Sequence, residues 1–129
     1  MSVPLARVRH DDGGQAAVET ALVLPFVVLV LLAIVQVGLV VRAQVLLTHA
    51  AREAARAAAV DPDPAAPVDA AHHATTLDAG RMTVTATGRG ARGSEVTVQL
   101  DYDEPTDVPL VGPLLGDVAL HAGATMRVE

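Results

Sequence analysis

A single carboxylate, Glu19, stands at the entrance of a long apolar run. The run covers residues 20–41, "TALVLPFVVLVLLAIVQVGLVV", and contains no charged residue. A carboxylate at the edge of such a run is costly unless a cation lies close to it. A simpler explanation is the helix dipole, which favours an acid in the first turn of a helix by about 0.3–1 kcal/mol. The position of Glu19 therefore indicates either an ion pair or a helix start.

Two further groups of residues carry metal-binding side chains. His72 and His73 are adjacent, so on a helix they point about 100° apart and need a third ligand from elsewhere to hold one ion. Four acids follow a predicted strand and carry oxygen ligands of the kind that calcium prefers, but an exposed acidic loop is the commoner meaning of such a cluster. These acids are Asp101, Asp103, Glu104 and Asp107. We predict no metal site and no cofactor.

Composition excludes several functional classes. The chain of 129 residues has no cysteine, which excludes disulfides, thiolate catalysis and cysteine-based zinc sites. The glycine-rich segment 88–93, "GRGARG", lies between predicted strands and lacks the helix of a phosphate-binding loop, and no Ser, His and Asp set has a recognisable spacing. Residues 61–129 carry four Arg against eleven acids, a balance of −7 that repels nucleic acid. The chain is predicted not to be an enzyme.

The apolar run is long enough to cross a membrane. As a helix, residues 20–41 extend about 33 Å, close to the thickness of a bilayer core. A buried helix of a soluble protein would need a large apolar shell, which the remaining chain is too small and too polar to provide. A secretory signal peptide usually has a shorter apolar region of about 7–15 residues. Two Arg precede the run and three follow it, so flanking charge does not fix its orientation.

Residues 13–26, "GGQAAVETALVLPF", resemble the type IV prepilin signal and are most similar to that of the TadE-like family of tight-adherence (Flp) pilus pseudopilins. Residues 49–59, "HAAREAARAAA", are similar to an alanine- and arginine-rich stretch of that family. The C-terminal "ATMRVE" resembles the C-terminal residues of family members, so the resemblance extends over about residues 13–129. The family resemblance implies a membrane-anchored subunit of a pilus system.

The resemblance assigns roles to four residues. In the family, a prepilin peptidase cuts after a glycine on the cytoplasmic side, and a glutamate occupies the fifth mature position. Gly14 would then end the leader, Gln15 would become the N-terminus, Glu19 would be the fifth residue, and Pro25 would match a proline where the helix kinks. The cut would free an ammonium on Gln15. Because a residue four places on lies one helical turn away on the same face, Glu19 could neutralise that ammonium in its own chain or in a neighbour.

The sequence departs from the pattern at two positions. Gln15 stands where many type IV pilins have an aromatic residue or Met at the start of the mature chain. Thr20 follows the glutamate where major Flp pilins carry Tyr. This second departure, with a distal region that those short pilins lack, favours a minor pilin or pseudopilin.

The distal chain predicts an α+β fold. The apolar helix should continue to residue 60, where Asp61 and Pro62 stop it, and a short helix closed by Gly80 should follow. Apolar and polar residues alternate in three segments, "RMTVTAT", "EVTVQLDY" and "VALHAGATMRV", as in half-buried strands. A three-stranded antiparallel sheet packed on the distal half of the helix would bury both apolar faces, giving a pilin-like shape.

This layout predicts five consecutive regions: a leader 1–14, a transmembrane helix 15–42, a helix extension 43–60, a linker with a short helix 61–80, and a β domain 81–129. Small residues on the extension allow either the sheet or neighbouring helices to approach, although helix propensity alone would also explain them. They are Ala50, Ala51, Ala54, Ala55 and Ala58. The loop before the last strand is expected to expose its apolar residues to a partner or to pack them under the sheet. They are Leu110, Val111, Leu114 and Leu115.

The expected function is that of a minor pilin or pseudopilin of a tight-adherence, type IVb-like pilus assembly system. The implied partners are a prepilin peptidase, other pilin or pseudopilin subunits, an assembly platform and ATPase acting in trans, and membrane lipid. The expected location is the bacterial cytoplasmic membrane, crossed once, with the N-terminus cytoplasmic, the C-terminal domain outside, and the pilus as a further destination. The alternative is an unprocessed single-span protein whose exported domain binds a partner or ligand.

Overall fold

The computed structural model describes residues 12–129. Most of the predicted leader 1–14, namely residues 1–11, lies outside the described residues. The described chain contains three helices, a 3₁₀ turn and three strands in one order along the sequence. They are α1 (Asp12–Val60), α2 (Ala66–His73), the turn Ala79–Arg81, β1 (Met82–Thr87), β2 (Glu95–Glu104), α3 (Gly112–Leu115) and β3 (Val118–Arg127).

Helix α1 is a single element of 49 residues that joins the apolar run to the alanine-rich extension. Pro25 lies inside it without interrupting the helix, so a bend at Pro25 stays a prediction. The helix stops at the predicted place, because Pro62 follows and the Asp61 and Asp63 side chains take over the hydrogen bonding of the next turn. Their Oδ1 atoms accept from the amides of Asp63 and Ala65, each at 2.9 Å.

The three strands form one antiparallel sheet in the order β1-β2-β3. Strand β2 pairs with both neighbours, and its two ends face Arg127 and Val118 of β3. The turn between β1 and β2 contains Gly88 at a φ of 80°, where a Cβ would stand 2.9 Å from the carbonyl oxygen of Glu95. Only glycine fits there, which explains why this glycine-rich segment forms a turn.

The sheet packs on the distal part of α1 and confirms the predicted α+β layout. Val96, Val98 and Leu100 of β2 are fully buried, as is Leu47 of α1. The alanine face of the extension is also buried, with Ala50, Ala51, Ala54, Ala55 and Ala58 each at most 1% exposed. Of the alternatives left by the sequence, packing against the chain's own domain is therefore the one that these alanines serve.

The structure corrects one local expectation from the sequence and decides another that the sequence left open. The short helix predicted to close at Gly80 ends at His73, and the Asp78 side chain caps a separate 3₁₀ turn by accepting from the Gly80 amide at 2.9 Å. Of the loop residues expected either to be exposed to a partner or to pack under the sheet, Val111 is buried at 5%, whereas Leu110 beside it is exposed. Val111 directly precedes the short helix α3, and its amide donates to the carbonyl of Val108, which is also buried.

Candidate functional site

The predicted processing and pairing residues lie together at the start of α1. Gly14, Gln15 and Glu19 are all in helical conformation and exposed. Glu19 lies four residues after Gln15, one turn further along the same face. In the uncut chain, the bond between Gly14 and Gln15 therefore belongs to the first turns of the helix and is open to solvent.

Within the part of the chain that the structure describes, the fold gives no packing reason for a glycine at position 14. A Cβ added to Gly14 would meet no atom within 4 Å. Glycine inside a helix is less favourable than alanine by about 0.5–1 kcal/mol, because it loses more backbone freedom. A requirement outside the fold, such as recognition by another protein, would account for glycine here.

Glu19 has no cationic partner in the described part of the chain. The two ion pairs within residues 12–129 join Arg81 to Asp117 and His121 to Asp101. Glu19 instead lies in a shallow groove with mainly apolar neighbours, among them Val23 and Val27. A carboxylate in such surroundings is stabilised when a cation is supplied by a new N-terminus or by another chain.

Helix α1 exposes most of its large apolar side chains between Val18 and Val41. By length and composition it contains one segment apolar enough to cross a membrane, and almost none of that segment is buried by the rest of the chain. Within residues 14–42, Gln36 is the one buried residue, at 3% exposure. Such a surface has no place in water, so it has to be covered by lipid or by other helices.

Gln36 is a feature that sequence reasoning missed. Its side-chain nitrogen and oxygen are both buried, and neither has a hydrogen-bond partner within the described residues. A polar residue in the middle of "LAIVQVGLV" was the available signal, but the sequence does not show that this residue is buried.

The other titratable residues form ordinary local contacts. Nδ1 of His73 lies 2.7 Å from the carbonyl oxygen of Asp69, and the His121 ring pairs with Asp101 on the outer face of the sheet. Burial raises the pKa of the Glu104 carboxyl, and the nearby guanidinium groups of Arg42 and Arg81 oppose this shift. Within the part of the chain that the structure describes, no group of three or more His, Asp or Glu residues is arranged to hold a metal ion.

Comparison with known proteins supports the family resemblance for the helix. The family model described as TadE-like protein matches residues 14–56. The match begins at the predicted end of the leader and covers most of α1, while residues 57–129 lie outside it. No curated protein and no solved structure matches the chain. The chain thus carries a TadE-like segment, which relates it to tight-adherence pilus systems, and one helix that fits a single membrane crossing.

Proposed function

We propose that this protein is a minor pilin or pseudopilin of a tight-adherence, type IVb-like pilus assembly system. Two observations that meet at residue 14 carry the proposal. The TadE-like match begins at this residue, and from Val18 onward α1 has an apolar surface that the described part of the chain leaves exposed. In a subunit that works by packing its helix against other subunits, such a surface is expected.

The first step of the proposed mechanism is cleavage after Gly14 by a prepilin peptidase. Hydrolysis of the peptide bond frees the carboxylate of Gly14 and an ammonium on Gln15. Glu19, one turn along the helix and without a cation of its own in the described residues, meets this ammonium or that of a neighbouring subunit. Because both charges lie at the edge of the bilayer, their neutralisation makes lateral movement of the helix into an assembly less costly.

The second step is helix packing outside the membrane plane. The β domain covers one face of the extension, where its alanines are buried. The opposite face of the extension stays open and includes Val45, Arg52 and Arg56. Neighbouring subunits can therefore contact α1 along its full length without displacing the sheet.

The proposed role is structural and not catalytic. The partners are the prepilin peptidase, other pilin or pseudopilin subunits, the assembly platform and its ATPase in trans, and membrane lipid. The protein would cross the cytoplasmic membrane once, with its N-terminus cytoplasmic and its β domain outside.

Intact-mass analysis of protein extracted from membranes tests this proposal. We expect a chain that starts at Gln15, and we expect Gly14→Leu to keep the leader. Gly38→Leu is the matched control, because Gly38 is also a helical glycine with nothing within 4 Å of an added Cβ. This control should be cut as the wild type is. A wild-type chain that still starts at Met1 would instead support the unprocessed single-span alternative.

A further inference from the structure

The loop between β2 and β3 exposes an apolar surface that the packing mechanism does not use. Residues 108–116, "VPLVGPLLG", contain no charge. Within them Leu110 is 62% exposed, Leu114 76% and Leu115 65%. We call these three side chains the leucine tip. Three large apolar side chains that are each more than 60% exposed, grouped in one short loop, indicate a contact surface.

The alignment of β3 along α1 fixes the height of this loop. The Gln44 side chain donates to the carbonyl of His121 at 2.9 Å, and the Glu129 amide donates to the carbonyl of Ala59 at 3.2 Å. Strand and helix therefore run side by side in the same direction. Val118 lies three residues before His121, about 10 Å at 3.3 Å per residue. That distance equals about six or seven helical residues, so β3 begins level with about residue 38, inside the charge-free run.

The loop continues beyond this level. Strand β2 runs towards it and ends opposite Val118, so residues 105–117 lie past the strand ends on the side of the apolar run. Gln36, two residues before Gly38, is buried at 3%, and Val108 and Val111 of the loop are buried but outside the main core cluster. We assign the burial of Gln36 to this loop. The leucine tip is then at the depth of the last turns of the run.

Hydrogen bonds hold the loop in one conformation, which includes a strained backbone at Leu110. Its backbone amides of Gly112 and Leu115 donate to the carbonyls of Val108 and Val111 at 2.9 and 3.1 Å. Leu110 has a φ of 69°, a left-handed conformation that is unfavourable for leucine. Strain of this kind is retained where a side chain is needed in a given place. Here it keeps a leucine exposed where glycine would relieve the strain.

We propose that the leucine tip inserts into the lipid bilayer beside α1, in the leaflet on the side of the β domain. Lipid is the occupant because the tip continues the exposed apolar belt of α1 at the same height. Asp107 and Asp117 border the charge-free stretch 108–116, and Asp117 pairs with Arg81 at 3.1 Å. The β domain would thus be fixed to the membrane at two places and would not swing freely about α1.

This inference rests on α1 crossing a membrane and not on cleavage at Gly14. The two proposals can therefore fail separately. An uncut chain would still place the leucine tip in lipid, and a cut chain could still hold the tip in water.

Site-specific fluorescence quenching tests the contact. Because the chain has no cysteine, Leu114→Cys introduces a unique labelling site for an environment-sensitive fluorophore. Ala91→Cys is the control, since Ala91 is exposed in the turn at the opposite end of the sheet. Each full-length variant is placed in phosphatidylcholine and phosphatidylglycerol vesicles that contain lipids with a quencher high on the acyl chain. We expect several-fold stronger quenching at position 114 than at position 91.

Two outcomes would overturn the proposal. Equal, weak quenching at both positions would place the tip in water. Protection of position 114 that appears only at high protein-to-lipid ratio would identify a second copy of the chain as the occupant. As a further variant, Leu110→Ser with Leu115→Ser should lower the quenching of a label at position 114, because these exposed residues anchor the tip without supporting the core.

Discussion

The side-chain amide of Gln44 donates a hydrogen bond to the backbone carbonyl of His121 at 2.9 Å. This bond joins the helix to the edge of β3 and sets the height at which the sheet sits on α1. Leu47, about one turn further along the helix, is fully buried and belongs to the core. The position of the β domain relative to the apolar run therefore depends on two contacts: the partly exposed hydrogen bond of Gln44 and the buried apolar packing of Leu47.

We expect Leu47→Ala to destabilise the domain much more than Gln44→Ala. Loss of a buried leucine costs about 2–5 kcal/mol, because it removes apolar burial and leaves a cavity. Loss of a partly exposed hydrogen bond costs about 0.5–1.5 kcal/mol. Tyr102, the one tyrosine in a chain without tryptophan, is buried and reports unfolding by its fluorescence in detergent micelles. Similar losses for the two variants would contradict the packing described here.

Enlarging the alanine face should separate the sheet from the helix. Ala54 is fully buried, and we expect Ala54→Leu to cost about 1–3 kcal/mol by overpacking. Ala119→Leu is the matched control, because Ala119 is exposed on the outer face of β3. Urea unfolding of both variants, followed by Tyr102 fluorescence, measures the difference. If Ala54→Leu is tolerated as well as the control, the sheet does not pack on this face.

Glu104→Gln should change the pH dependence of stability. Burial raises the pKa of Glu104 in the folded chain above its ordinary value of 4.5, so ionisation of this carboxyl weakens folding as the pH rises through the raised pKa. Gln carries no charge to lose. We therefore expect the variant to unfold at a higher temperature than the wild type at pH 7, and the difference to vanish below about pH 4.5. The reverse trend would show that Arg42 and Arg81 dominate.

Gln36→Leu should stabilise the contact between the loop and α1. Both polar atoms of the Gln36 side chain are buried without a partner in the described chain, and replacing such a group by an apolar one of similar size removes an uncompensated cost of about 1–3 kcal/mol. Slower hydrogen exchange of the loop amides, for example that of Gly112, is the expected readout. Faster exchange would mean that Gln36 holds the loop through a polar contact.

Glu19→Ala should impair incorporation into a pilus assembly while leaving membrane insertion intact. The ammonium of Gln15 would lose its partner at the membrane edge, which we expect to reduce incorporation at least about tenfold. Thr20→Ala is the neighbouring control, since within residues 12–129 the Thr20 side chain makes one hydrogen bond, to the carbonyl of Ala16 in its own helix. Co-purification with other subunits and extraction from membranes measure the two effects. Unchanged incorporation would show that Glu19 serves only the helix start.

Much of this architecture could be read from the chain itself. A charge-free run that ends at Arg42 predicts a spanning helix whatever lies beyond it, and Asp61 with Pro62 predicts its end. Alternation of apolar residues predicts the three strands, since it depends only on local geometry. The resemblance around Gly14 and Glu19 is likewise a matter of linear spacing, and the family match confirms it for residues 14–56.

Other features depend on how distant segments meet. The sequence leaves open whether the alanines of the extension face a sheet or other subunits, and only the packing of β2, β3 and α2 on α1 decides it. The burial of Gln36 and Val111 and the exposure of Leu110 likewise appear only in the folded chain. Local patterns determine which segments are helix, strand or membrane span, because those choices depend on neighbouring residues. The side of each element that stays uncovered is decided by contacts between residues far apart in the chain.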